Sequence, residues 1–149
     1  MAEPTTIFIG GIIQGSLPND VHDQLYRKHI FELLKKRWPK ANIFDPVSAY
    51  PESLSYSFDK GRDAFFDLMS KSGKADMLIA FVPEASMGTA IEMWNAYNAG
   101  NIVIAVSPLI ENWVIKFLAD AVVPDLEALE VLLMSDTMDE ILKKKIKYE

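Results

Sequence analysis

Residues 75–108, ADMLIAFVPEASMGTAIEMWNAYNAGNIVIAVSP, contain one complete strand, helix and strand, and the reading of the fold starts from them. The runs 76–83, DMLIAFVP, and 101–108, NIVIAVSP, are almost continuously apolar and rich in β-branched residues, the pattern of parallel strands covered on both faces. Between them, residues 87–99 read as a helix, with Ser86 as its N-cap candidate and Gly100 suited to the left-handed conformation at its end. Among the small and apolar residues of that helix stands one acidic side chain, Glu92, flanked by Ile91 and Met93.

The same alternation continues in both directions. Residues 5–13, TTIFIGGII, and 41–47, ANIFDPV, read as strands. Val21, Leu25, Ile30, Leu33 and Leu34 recur at helical spacing after SLPND, whose Asn19 or Asp20 is placed to cap, and WPKAN closes that helix. Residues 59–72 and IENWVIKFLAD (110–120) read as further helices, AVVPD (121–125) as a short fifth strand, and 125–146 as a charged helix. The segment 48–58, SAYPESLSYSF, reads as a loop, either a plain connection or a lid. Strict β-α alternation predicts an α/β fold: a flavodoxin-like, Rossmann-like, doubly wound parallel five-stranded sheet in a single three-layer α/β/α domain spanning 1–149. In a flavodoxin-like strand order the switch point falls between strands one and three, where the loops GGIIQGS (10–16) and PEASMGT (83–89) meet and form a pocket. Ser86, Gly88 and Thr89 open a helix there whose free N–H groups and positive dipole end favour an anion.

Composition removes several classes of function. The 149 residues carry a net charge of −6 and no cysteine, so disulfides, thiolate nucleophiles and cysteine-held metals are excluded. The basic clusters KKR (35–37) and KKKIK (143–147) read as solvated helix faces, and no nucleic-acid partner is expected. His22 and His29, seven apart on one predicted helix, do not form a metal motif; neither a metal nor a cofactor is expected. The start, MAEPTT, lacks a basic leader and no apolar run approaches a membrane span, so a cytoplasmic protein without membrane contact is expected.

The Ala75-Asp76 pair, the apolar strand, the Gly-Thr-Ala-x-Glu helix start at 88–92 and the small-residue helix end before the next strand resemble the signature of the nucleoside 2-deoxyribosyltransferase family. The resemblance spans roughly residues 5–118 and is specific over 75–108. It implies that Glu92 is a nucleophile, attacking the anomeric carbon of a nucleoside to give a covalent glycosyl-enzyme that water or a second base resolves. Such chemistry is physically sensible, because a carboxylate stabilises an oxocarbenium-like state by charge and then captures it. The leaving base needs a proton, and a second carboxylic acid with a raised pKa is expected nearby. The family places an Asp in the middle of the helix before strand three, which matches Asp67 if KSGK (71–74) holds a one-residue insertion, with Asp63 in reserve.

One departure bears on the substrate. The family's transferases have an Asp six residues before the nucleophile, where this chain has Ser86. A serine there resembles the related 2′-deoxynucleoside 5′-monophosphate N-glycosidases, which direct it at the 5′-phosphate. Their strand-one loop also resembles GGIIQGS, which implies substrate contacts from Gly10, Gly11, Gln14 and Gly15, but they carry a basic residue where this chain has Gln14. Arg27 and Arg62 are substitutes, each otherwise a helix-surface residue. In both branches a neighbouring subunit completes the site, which implies a homodimer or larger homo-oligomer and points to Asn112, with Ser107 behind it; Asn112 as a plain helix cap is the alternative. Trp94, Tyr97 and Trp113, if exposed, would suit such an interface; aromatic residues at helical spacing are more often core, which is the alternative. The expected partner is a small-molecule nucleoside or nucleotide, and the expected role is hydrolysis or transfer in nucleotide salvage. Two other readings are a non-catalytic nucleotide-binding or sensor domain and a TIR-like domain cleaving NAD, since a fold does not fix a function.

Overall fold

The computed structural model describes residues 3–15 and 19–146. Ser16 of the first loop, Leu17 and Pro18 of the predicted capping segment, and Lys147 of the basic C-terminal cluster lie outside the described residues. Five strands, β1 (Thr6–Gly11), β2 (Asn42–Phe44), β3 (Met77–Phe81), β4 (Ile102–Val106) and β5 (Ala121–Val123), form one sheet in the order β2-β1-β3-β4-β5 with every neighbouring pair parallel. This is the predicted flavodoxin-like order.

The strands are apolar throughout because both faces are covered. On one face Ile7, Ile9, Met77, Ile79, Ile102 and Ile104 pack against α1 (Leu25–Arg37), α6 (Leu126–Leu133) and α7 (Asp136–Ile146). On the other, Phe8, Leu78, Ala80, Val103 and Ala105 pack against α3 (Phe58–Lys74), α4 (Met87–Asn98) and α5 (Trp113–Leu118). The period of two along a strand sorts odd and even positions of β1 between the layers.

Helix α4 begins where expected, with Ser86 accepting from Thr89 N, and Gly100 ends it at φ 75°. Helix α1 differs from expectation. It starts at Leu25 behind Gln24, which makes no side-chain cap, rather than at a helix capped by Asn19 or Asp20. Its inward stripe is Tyr26, Arg27, Ile30, Leu33 and Leu34, whereas Val21 and Leu25 are exposed. His22 therefore lies in the loop before α1 and does not share a helix with His29. The predicted helix over 125–146 is two, broken at Met134 and Ser135. Of the predicted loop 48–58, Ser48 and Ala49 belong to a four-residue helix α2 (Pro46–Ala49) capped by Asp45, Ser53–Ser55 form a single helical turn, and Phe58 opens α3. The basic clusters partly form ion pairs between elements: Lys36 of α1 with Glu130 of α6, Arg37 of α1 with Asp139 of α7, and Lys145 of α7 with Asp120 just before β5.

Asp76, far from the C-terminal strand ends, clamps the start of the sheet. One oxygen, Oδ2, accepts from the backbone N–H and hydroxyl of both Thr5 and Thr6, at 2.7–3.2 Å. Burial raises the proton affinity of this carboxyl, but these bonds to its charged form outweigh burial and hold its pKa below the usual value. Asp76→Ala is expected to cost about 1 kcal/mol, at the low end for charge-assisted bonds because the site is solvent-screened. The loss should shrink as pH falls below the ordinary carboxylate range, where the wild-type group also takes up a proton; urea denaturation at pH 7 and pH 3 measures both.

Candidate active site

The two glycines at the end of β1 are explained by side chains that this chain itself supplies. Gly10 and Gly11 point to opposite faces of the sheet. A Cβ on Gly10 would stand 2.7 Å from Glu92 Oε2, and one on Gly11 would stand 2.3 Å from the Tyr26 hydroxyl. The glycines thus let a carboxylate approach the strand from α4 and a phenol approach it from α1. Gly15 is similar: its Cβ position is filled by Asp20 Oδ2, and its N–H donates to the Asp20 carbonyl. At Gly11 and Gly15 the space that a side chain would need is filled by Tyr26 and Asp20. At Gly10 the space is taken by the predicted nucleophile.

Glu92 is 8% exposed, and its Oε2 has no hydrogen-bond partner among the described residues. It lies at the C-terminal ends of β1 and β3, the switch point of the sheet. Burial raises its pKa to about 8, against which the positive charge of Arg27 pulls downward. Burial therefore wins the contest of desolvation against charge, and near neutral pH the carboxyl is largely protonated.

Sequence reading missed the environment that makes this possible. Arg27 is not a helix-surface residue available to a phosphate; it is buried at 3% exposure. Its Nη1 donates to the Ile9 carbonyl at 3.1 Å and to Asp45 Oδ1 at 3.3 Å, its Nη2 to the Gly11 carbonyl at 3.0 Å, and its Nε to Gln24 Oε1 at 2.7 Å. Tyr26 donates to the Ile12 carbonyl at 3.1 Å and stacks on Phe81. Burial pushes its hydroxyl well above the usual range. A signal existed: Arg27 is three residues before Ile30 and seven before Leu34, on the apolar stripe. Arg62, by contrast, is exposed and lies over the Phe66 ring, as expected of a surface residue.

Asp67 sits on the same layer of the fold. Lys71 pairs with it and Tyr50 donates to it; Lys71 lies over Phe44, and Phe44 stacks on Phe8, which shares its face of β1 with Gly10. The expectation of an acid with raised pKa is corrected here. Hydrogen bonds from Lys71 and then Tyr50 hold the carboxyl of Asp67 below its ordinary value, so it is ionised. The bond to Asp67 also ties Tyr50, the residue just after α2, onto α3. Asp63 is exposed one turn earlier.

The remaining candidates separate into two places. Ser86 Oγ lies 2.9 Å from Thr89 Oγ1 and caps α4, so both hydroxyls are engaged in starting the helix. A side chain at Gly88 would meet nothing within 4 Å, leaving the helix start open. Ser86 and Asn112 line one apolar cavity of about 180 Å³ with Val82, Met87, Ala90, Met93, Leu109 and Ile115. Asn112 caps α5 by accepting from Val114 N, and Ser107 is buried, donating to the Val82 carbonyl at 2.6 Å. That volume is below the range usual for ligand pockets. A second cavity of about 490 Å³ lies by Phe81, Pro83, Val106, Pro108, Pro124, Asp125, Leu126 and Glu127. Glu92 lines neither.

Gln14 is exposed and forms an antiparallel bridge with Val21, folding the first loop back on itself. His22 joins that loop to the other: its Nε2 is 2.5 Å from Glu84 Oε1 and 3.6 Å from Asp20 Oδ1. Ligand-type atoms of Asp20, His22 and Glu84 lie within 4.8 Å of one another, a grouping invisible when His22 is placed on a helix. Among the described residues no helix is long and apolar enough to cross a membrane.

The fold has counterparts among solved structures. A 2-deoxyribosyltransferase from Bacillus psychrosaccharolyticus matches with a TM-score of 0.65 at 21% identity, over 84% of this chain and 90% of that one. A conserved protein from Enterococcus faecalis matches with a TM-score of 0.62 at 19% identity, over 87% of this chain and 96% of that one. No protein-family model matches the chain, and no curated protein matches it by sequence. At these identities the likeness establishes the architecture.

The raised pKa of Glu92 has a measurable sign. Unfolded, this carboxyl ionises near 4.5; folded, it holds its proton to about 8. The unfolded state binds fewer protons in between, so its contribution to stability falls as pH rises across that window, by up to about 1.4 kcal/mol per pH unit. Urea denaturation from pH 5 to pH 8 should show this slope in the wild type and lack it in Glu92→Gln. Matching pH profiles for the two proteins would mean that Glu92 is already ionised in the folded chain.

Proposed function

We propose that this protein cleaves the N-glycosidic bond of a deoxynucleoside or its 5′-monophosphate, with Glu92 as the nucleophile. The observation that carries the reading is the buried carboxyl over Gly10, one oxygen unpartnered, at the switch point of a fold shared with a 2-deoxyribosyltransferase. An unpartnered buried polar oxygen is costly to a fold and is better accounted for by chemistry than by stability. In the reaction, ionised Glu92 bonds to the anomeric carbon while the bond from that carbon to the base nitrogen breaks and its electron pair leaves with the base. The departing base takes a proton. Water or a second base then attacks the anomeric carbon and releases Glu92, giving hydrolysis or transfer.

In this reading Asp67 is an ionised hydrogen-bond acceptor that orients the base, and the proton for the base comes from solvent water. The open helix start at Gly88, beside Ser86 and Thr89, receives the 5′ end of the sugar. Ionised Glu92 is the reactive form, so kcat/KM should rise about tenfold per pH unit toward a limb near pH 8 and level above it.

The reading includes a homodimer. Helix α4 has one charged residue, Glu92, and it is buried; its outer face presents Met87, Ile91 and Trp94, next to Trp113 and Phe117 of α5, all exposed. An uncharged apolar face of this kind suits a protein interface. Two copies of a chain with net charge −6 meet there with the least repulsion. The face borders the cavity that Ser86 and Asn112 line, so a partner would approach the site.

Assaying base release from a panel of nucleosides, their 5′-monophosphates and NAD tests the reading. Wild type is expected to release base from a deoxynucleoside or its monophosphate, and Glu92→Ala to lose at least about 10³-fold in rate. Absence of release from every member of the panel, with tight nucleotide binding by calorimetry, would instead establish a sensor domain; release from NAD alone would establish the TIR-like activity. Trp94→Glu is expected to convert a dimer to a monomer in sedimentation; an unchanged species would remove α4 from the interface.

A further inference from the structure

The last paired residue of β2 is Phe44, opposite Phe8, so the end of β1 runs on past its neighbour. Beyond that point the carbonyls of Ile9 and Gly11 accept from the two terminal nitrogens of Arg27, which also reaches Asp45, the first residue after β2. One guanidinium thereby replaces the missing strand, bonding on either side of Gly10. Gln24 fixes the plane of that guanidinium by accepting from Nε. A planar fork with several donors suits this task, and an ammonium does not.

We propose that Arg27 is the positioning residue of this site: it pins the strand end against which the Glu92 carboxylate rests and supplies the fixed positive charge that the carboxylate feels. The inference rests on Glu92 being the working carboxylate of the proposed function. Among the described residues, few charged or titratable groups act on Glu92. Arg27 and Tyr26 come from α1, Asp45 stands behind Arg27, and α4 itself contributes no other charged group. Tyr26 keeps its proton, and Asp45 shares the charge of Arg27 without cancelling it at Glu92. Arg27 is thus the group that opposes burial. Its cost as a buried charge is met by four hydrogen bonds, and its position on the apolar stripe of α1 is otherwise one for an aliphatic residue.

The test compares wild type with Arg27→Lys and Arg27→Met and reads the Glu92 titration directly, by NMR of the ¹³C-labelled carboxyl with Glu92→Gln used to assign the signal. Arg27→Met is expected to move the Glu92 midpoint upward by about one pH unit or more, the effect of losing a nearby opposite charge. Its kcat/KM at pH 7 should fall at least about tenfold per unit of that shift and recover at high pH only to a lowered plateau, because the fork is lost with the charge. Arg27→Lys should restore much of the midpoint but not the full plateau rate, because it returns the charge without the fork. Should Arg27→Met fail to fold, the pair Arg27→Met with Asp45→Asn removes the buried charge together with its half-buried partner and gives the same reading. An unmoved Glu92 midpoint in a folded Arg27 variant overturns the proposal. The titration does not require turnover, so a wild type that releases no base sinks the proposed function while leaving the Arg27 measurement intact. An active wild type with an unmoved midpoint sinks Arg27 alone.

Discussion

The structure around the site depends on one close approach, the Glu92 carboxyl lying where Gly10 would carry a side chain. That approach requires a bare backbone on this face of β1, and it lets α4 sit close enough for Met93 and Ala96 to join the core beneath. It also takes the carboxyl out of water, because the strand that it rests on is interior to the sheet and covered on both sides. The opposite face repeats the device, with Tyr26 filling the place above Gly11. Two consecutive glycines thus serve two different polar side chains, one from each helical layer.

Desolvation and charge then act against each other. A carboxyl in an apolar setting keeps its proton, and Arg27 reduces that tendency without abolishing it. Charged groups are costly in such a place unless they are bonded, and the ones here are: Arg27 to two carbonyls, Gln24 and Asp45. The unpartnered Oε2 of Glu92 is the exception in an otherwise satisfied cluster. Asp67 shows the reverse outcome: accessible and bonded by Lys71 and Tyr50, it stays ionised. Two carboxyl groups on one layer of the fold are driven to opposite protonation states by burial and by bonding.

Much of this was legible in the linear chain. Strand and helix order, the parallel sheet and its switch point, the Ser86 cap, the left-handed Gly100 and the singularity of Glu92 all follow from patterns local to a few residues. The start and face of α1 were not legible, because Val21 and Leu25 mimic an apolar stripe that tertiary packing assigns to Tyr26, Arg27 and Ile30 instead. An arginine in an apolar periodicity is read as a surface residue until the strand carbonyls that it bonds are known. The same misplacement separated His22 from Glu84 and Asp20, which are distant in sequence and adjacent in space.

By itself the amino-acid sequence determined the architecture and the presence of an acidic side chain at the mouth of the sheet, since hydrophobic period, caps and turn residues act over short distances. Only the tertiary structure decided what surrounds that side chain. Its proton affinity depends on the depth of burial and on a cation 65 positions earlier in the chain, brought there because the end of β1 outruns β2 and leaves two carbonyls to be bonded. Long-range electrostatics of this kind has no local signature.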